Sequence, residues 1–281
     1  MDTKMNSIIL VPTDFSEVCD NAIRHGAEAA KYLNYKLCLL HVVNKNTNAY
    51  LKKEHLTTLI IDEKLSICAA GLSKEFGVEV SFIIRDGSIF DTIAEVAHDI
   101  GAIFIVMGTH GKIGIQKLTG SYALKVVCSS EIPVIVVQKR PLKNTYNDIV
   151  LPITSESGSW KKTQWAAYIA KQFKATIHIF KLKEDLVLNE SIKIITRYFD
   201  ENKVKYIEKT ADKGINFTKG VIDYATSINS ELIMIMTTSN ASTITNFILG
   251  TYNEDIIFNT SQIPVMCINP KDVNWEKIVN Y

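Results

Sequence analysis

The chain has 281 residues, 47% of them hydrophobic, with 31 basic and 30 acidic side chains and a formal net charge of +1. That length suits one large or two ordinary domains, and so even a charge balance, with no block of like charges, excludes the electrostatic footprint of a nucleic-acid binder. No run approaches the roughly 18 apolar residues of a bilayer span, so a soluble, cytoplasmic protein with no membrane partner is expected.

In chain order, β-branched runs alternate with longer stretches of helical period. Strands are predicted near 7–12, 36–43, 78–85, 102–107 and 133–137, with helices near 18–33, 50–76, 88–99 and 121–130. Ala22, Ala29, Ala30 and Leu33 stripe the first helix, and Ile89, Ile93, Val96 and Ala97 the third. The polar stretch KRPLKNTYN, residues 139–147, then reads as a linker, and the pattern begins again. Residues 8–43 lie over 148–183 at a constant offset, pairing Pro12 with Pro152 and Lys31 with Lys171. AIFIVMGTHG aligns with ELIMIMTTSN, TGSYALKVV with LGTYNEDII, and EIPVIVVQ with QIPVMCIN. The chain is a tandem repeat of two complete domains, 1–143 and 144–281, because the period is far too long for a solenoid. The second copy has a shorter second helix, near 185–202. Each copy is predicted to be α/β, an open five-stranded parallel sheet with helices on both faces, Rossmann-like in type.

Five cysteines, Cys19, Cys38, Cys68, Cys128 and Cys267, are scattered without a C-x-x-C pair. Four sit in apolar patterns and are expected to be buried, reduced thiols. Neither a disulfide framework nor zinc-ligand spacing is present, so no metal is expected.

Chemistry is expected where strand order reverses, since open parallel sheets bind ligands at the carboxyl ends of strands around that point. PTDFSE follows the first strand, and MGTHGKIGIQKLTGS, with four glycines in thirteen residues, follows the fourth. The Asp14 carboxylate can accept from two ribose hydroxyls, and the N–H groups of Gly108 to Gly111 can form a nest for phosphate oxygens. Ser121 is placed to cap the fourth helix, whose N-terminus favours an anion. Plainer roles stand beside these: Asp14 as a helix cap, the glycines as a turn, His110 as a solvated loop residue, and Lys112 and Lys117 as surface. His41 reads as a core or edge histidine, and Trp160, Trp165 and Tyr168 as packing or an interdomain contact.

Taken together, the glycine loop, VPTDFSE and the tandem form resemble the universal stress protein family over essentially the whole chain. Its hallmark is G-x-x-G, nine residues, then G-[S/T]; Gly108, Gly111 and Gly120-Ser121 match, with eight residues between Gly111 and Gly120. The resemblance implies an ATP-type member in which Pro12, Thr13 and Asp14 line the adenosine end and the backbone at Val42 or Val43 reads adenine. It also implies that the glycine loop, His110 and Ser121 hold phosphates, with Met107, Tyr122 and Ala123 lining the site. The implied ligand is ATP, ADP or AMP, with or without Mg, and the assemblies are an intrachain pseudo-dimer or a homodimer. As bare edges, VIVV and VMCI would be aggregation hazards, so Val134 to Val137 and Val265 to Ile268 are expected to lie together.

No nucleophile elbow, H-E-x-x-H or P-loop is present, so the expected function is a nucleotide-binding stress regulator with slow or no hydrolysis. The alternatives are a nucleotide-free scaffold and an adenylating enzyme; against the enzyme, PTDFSE is no serine-glycine pyrophosphate loop. Nucleotide is expected in the first copy alone. In the second, Thr154 replaces Asp14, Thr237 and Asn240 replace Gly108 and Gly111, and Glu254 and Asp255 crowd the following helix N-terminus.

Overall fold

The computed structural model describes residues 7–109, 117–142, 145–154, 159–182, 186–211, 214–237 and 251–269. The chain divides into two compact units, the first over residues 1–143 and the second over 144–271.

The first unit runs β1 (Ile8–Pro12), α1 (Glu17–Leu33), β2 (Lys36–Val43), α2 (Lys45–Lys53), α3 (Leu59–Phe76), β3 (Val80–Asp86), α4 (Ile89–Asp99), β4 (Ala102–Gly108), α5 (Lys117–Ser129) and β5 (Val134–Val137). Its parallel strands lie in the order β3-β2-β1-β4-β5. The chain winds outward from β1 to β3 and then crosses back to β4, so the switch point falls between β1 and β4. Right-handed crossovers put α1 with α3 on one face and α4 with α5 on the other. Central strands such as IILVP are therefore covered on both sides, which is why they read as continuous apolar runs.

The second unit repeats the plan: β6 (Asp148–Ile153), α6 (Ser159–Phe173), β7 (Thr176–Lys181), α7 (Leu186–Glu201), β8 (Lys205–Thr210), α8 (Phe217–Ser227), β9 (Leu232–Met236), α9 (Thr251–Ile257) and β10 (Val265–Ile268). Its parallel order, β10-β9-β6-β7-β8, matches that of the first. The α/β reading of two five-stranded parallel sheets holds.

Three local expectations need correction. The single helix over 50–76 is two helices, because Asn44 caps an earlier start by accepting from the N–H groups of Asn46 and Thr47 (2.8 and 3.0 Å), and His55 then turns left-handed at φ 53°. Ser121 lies inside the helix after β4, α5 (Lys117–Ser129), and is not its cap. All five cysteines are free, but Cys19, Cys68 and Cys128 are half-buried rather than buried.

Side-chain bonds fasten each sheet to its helices. Asn21 of α1 donates to Gln138 O at 2.6 Å, and His25 Nε2, also on α1, lies 2.8 Å from Arg140 O, so α1 holds the strand leaving β5. His25 is 1% exposed, its Nδ1 has no hydrogen-bond partner among the described residues, and burial pushes its pKa down to about 4 against the lesser upward pull of the Arg140 carbonyl. In the second unit His178 of β7 bridges Asp148 Oδ1 and Tyr224 Oη, each at 2.8 Å. Trp165 is buried on α6 and meets Tyr168 edge-on, as a packing stripe should.

Candidate functional site

β1 ends at Pro12 while its neighbour β2 continues to Val43, and that mismatch opens the site. Along β2 the even-numbered residues bond toward β1: Lys36 N–H donates to Ser7 O, and Leu40 O accepts from Thr13 N–H at 2.8 Å. Odd-numbered ones bond toward β3: Leu37 N–H donates to Glu79 O, and Val43 O accepts from Gly87 N–H at 3.2 Å. Val42, two residues past Leu40, therefore turns its N–H and C=O to the side where β1 has stopped. Of the two candidates Val42 and Val43, the register brings Val42 to the crevice and commits Val43 to the sheet.

Beyond Pro12 the chain makes a tight, internally bonded turn. Phe15 is left-handed (φ 64°), its N–H donating to Thr13 Oγ1 at 3.0 Å, and Ser16 N–H donates to Asp14 Oδ1 at 2.9 Å. The N-cap of α1 is Ser16, so Asp14 holds the turn before the helix rather than capping it. Partial burial raises the Asp14 pKa, but hydrogen bonds from Ser16 and Cys19 outweigh it and hold the carboxyl below the usual value. The exposed carboxylate at the mouth stays ionised. Cys19, beneath it, has its thiol pushed up to about 12 by burial and by the Asp14 charge.

Gly108, at the end of β4, is required by packing. A Cβ there would lie 2.4 Å from Val18 O and 2.7 Å from Val18 C, so the first turn of α1 can cross β4 only over a glycine. Around these elements lies a cavity of about 110 Å³, floored by Pro12, Thr13 and Gly108 and walled by Leu40, Ile93 and Met107. Past Asn44 and Ile89 it meets an open cleft of about 570 Å³ between the ends of β2 and β3.

Pro12, Thr13, Asp14, Val42, Met107 and Gly108 thus gather at the switch point. Ala123 is fully buried in α5, outside the cavity lining. Gly120, Ser121 and Tyr122 fall within α5, but their side chains lie outside the described residues, as do His110 and Gly111 altogether. Of the walls, sequence reasoning named Met107 and missed the rest. Ile89 and Ile93 look like a core stripe, and His41 looks like core until the register shows it beside the end of β1.

At positions corresponding to the first unit's cavity lining, the second unit carries bulkier side chains. Thr109 N–H donates to Val137 O (2.9 Å) and Thr237 N–H to Ile268 O (2.8 Å), so the counterpart of Thr109 is Thr237 and that of Gly108 is Met236, not Thr237 as the sequence alignment has it. A side chain at that position leaves no room for a crossing as close as that of α1 over Gly108. Leu40 becomes Phe180 and Ile89 becomes Phe217, whose rings meet at 5.5 Å, and Phe180 also stacks on Tyr224 at 5.5 Å. Ala22 becomes Lys162, which is buried and donates to Pro152 O. Thr154 stands for Asp14 at the end of this unit's first strand, and only Glu254 of the expected acid pair falls in the first turn of α9. Asn240 lies outside the described residues.

No helix among the described residues is long and apolar enough to cross a membrane. Residues 5–138 match the universal stress protein family. Universal stress protein MJ0531 of Methanocaldococcus jannaschii is 30% identical over 138 residues, covering 47% of this chain and 81% of that protein. MJ0577 of the same organism is 30% identical over 157 residues, covering 94% of its length. Among solved structures, a universal stress protein from Archaeoglobus fulgidus covers 95% of this chain and 99% of its own, with a TM-score of 0.76 at 17% identity, a likeness of fold.

Proposed function

The chain belongs to the universal stress protein family, and we propose that it is a regulator that binds one adenine nucleotide, in the first unit, and hydrolyses it slowly or not at all. The observation that carries this reading is Val42, which lines the crevice and whose N–H and C=O turn, by the parity of β2, to the side that β1 has left, the C=O accepting a long 3.5 Å hydrogen bond from Thr47 Oγ1. A donor and an acceptor on one strand edge fit the ring nitrogen and amino group along one edge of adenine. The ionised Asp14 is placed for ribose hydroxyls, and the phosphates run toward Gly108, Gly111 and Gly120-Ser121, with or without Mg. Among the described residues the ionisable side chains around the cavity are Asp14, Cys19 and His41. Asp14 is engaged by Ser16 and Cys19 is an inert thiol, which favours binding over turnover.

Phe180, Phe217, Met236 and Lys162 favour a structural or partner-facing role for the second unit. Mass spectrometry of the denatured, purified chain should release adenine nucleotide, and calorimetric titration of nucleotide-free protein with ATP should give a stoichiometry near one. A stoichiometry near two, or no binding, refutes the reading.

A further inference from the structure

α3 carries apolar side chains on two faces, and its own unit covers one of them. Ile61, Leu65, Leu72 and Phe76 are buried where the helix packs over β2 and β3. On the opposite side Leu59, Glu63, Ile67, Ala70, Gly71 and Lys74 are exposed, and their spacing of three and four residues makes them one stripe. Leu59 and Ile67 are 75% and 67% exposed, the most open of the large apolar side chains among the described residues. Scattered apolar residues on a surface are ordinary, but two on one helical stripe are a contact surface in outline. The stripe's charges are idle too. On the α1 side of the helix Glu75 takes Arg24 at 2.5 Å and Lys64 lies over the Phe15 ring, whereas Glu63 and Lys74 have no ion-pair or hydrogen-bond partner among the described residues. Gly71 is a third mark: nothing lies within 4 Å of a Cβ built there, so packing inside the chain does not call for a residue that weakens the helix.

We propose that this stripe docks a second copy of the chain, α3 against α3 in antiparallel sense about a two-fold axis. The charge pattern selects that occupant, because the stripe becomes its own complement when reversed. With the axis level with the point midway between Cys68 and Ala69, Glu63 of each copy stands level with Lys74 of the other, both about 8 Å from the axis at 1.5 Å per residue. Ile67 then stands level with Ala70 of the other copy and beside its Gly71, two small residues that let the helices close to about 8 Å. A parallel pairing would instead set Glu63 on Glu63 and Lys74 on Lys74. Exposed ion pairs add little affinity, but they choose partner and direction, and a two-fold axis counts each pair twice. The surface sits over β3, the strand at the far edge of the first unit's sheet from β5. One helix a side makes a small interface, so the dimer is reversible rather than obligate.

The test is sedimentation velocity of the full, nucleotide-free chain over a concentration series from about 1 to about 300 μM, a range that brackets weak association. The wild type should pass from monomer toward dimer. Glu63→Lys and Lys74→Glu should each weaken dimerisation about 10-fold or more, since each replaces both opposite-charge contacts with like-charge ones. The double variant, Glu63→Lys with Lys74→Glu, should dimerise again as the wild type does. An equimolar mixture of the two single variants should also associate where neither does alone, because every contact then joins opposite charges. All of these side chains face solvent, and circular dichroism checks that each variant is folded. A wild type that stays monomeric throughout overturns the proposal, as does a dimer indifferent to both reversals. Single variants that weaken association with no rescue in the double variant or the mixture overturn the antiparallel α3 pairing as well.

Discussion

Acidification should loosen the first unit through His25. The ring is buried on α1 with Nε2 committed to Arg140 O and Nδ1 without a partner among the described residues, so a second proton would place an unpaired charge in the interior. Its folded pKa of about 4 stands below the ordinary 6.5. A gap of about 2.5 units at about 1.4 kcal/mol each makes keeping this ring neutral worth about 3 kcal/mol. The unfolded chain takes up the proton near pH 6.5 and the folded one only near 4, so between these values the unfolded state holds more protons. Stability therefore rises with pH across that window: the contribution is complete above about 6.5, falls as pH drops, and is gone below about 4. His41 shifts in the same direction, so the His25 share must be isolated by difference. The comparison is His25→Gln, whose amide can still donate to Arg140 O but does not titrate. Urea unfolding of the full chain, read by hydrogen exchange and mass spectrometry on peptides from 17–33 and 134–140, reports this unit separately from the other. The wild type should lose about 3 kcal/mol more than His25→Gln between pH 7 and pH 4. Parallel pH curves for the two proteins would refute the reasoning.

Leu40→Phe imports the second unit's filling into the first, and should weaken ATP binding at least about 10-fold with little change in circular dichroism; calorimetry at unchanged affinity would count against the cavity as the site. Gly108→Ala sets a Cβ 2.4 Å from the Val18 carbonyl, and should destabilise the first unit by about 1 to 3 kcal/mol, measured by the same exchange experiment. Cys19, its thiol pushed up to about 12, should react with iodoacetamide at pH 8 far more slowly than a free thiol, by peptide mass spectrometry, and slower still with ATP present.

Much of this fold is legible in the sequence because its strands are buried on both faces, and continuous apolar runs between helical stripes have few other readings. The tandem repeat is legible for the same reason. The α2–α3 break is not, since Asn44 and a left-handed His55 are single-residue events inside an otherwise helical pattern. The site is legible where a motif marks it, at Pro12 to Asp14 and at Gly108, yet the packing reason for Gly108 is invisible without knowing that α1 crosses there. Choosing Val42 over Val43 needs only parity along β2, but parity has meaning only once the register with β1 is known. The Gly108 counterpart was misplaced by one residue because apolar strands slide over one another without penalty in an alignment, whereas hydrogen bonds to Val137 and Ile268 do not slide.

The aromatic filling around Phe180 and Phe217 bears on how such a chain would respond to its ligand. Cooperativity needs at least two coupled binding events, and under the proposed reading, with nucleotide held by the first unit alone, a monomer of this chain would have a single saturable site. Occupancy of such a monomer would climb along a plain hyperbola, with no threshold, as a dimmer does rather than as a toggle.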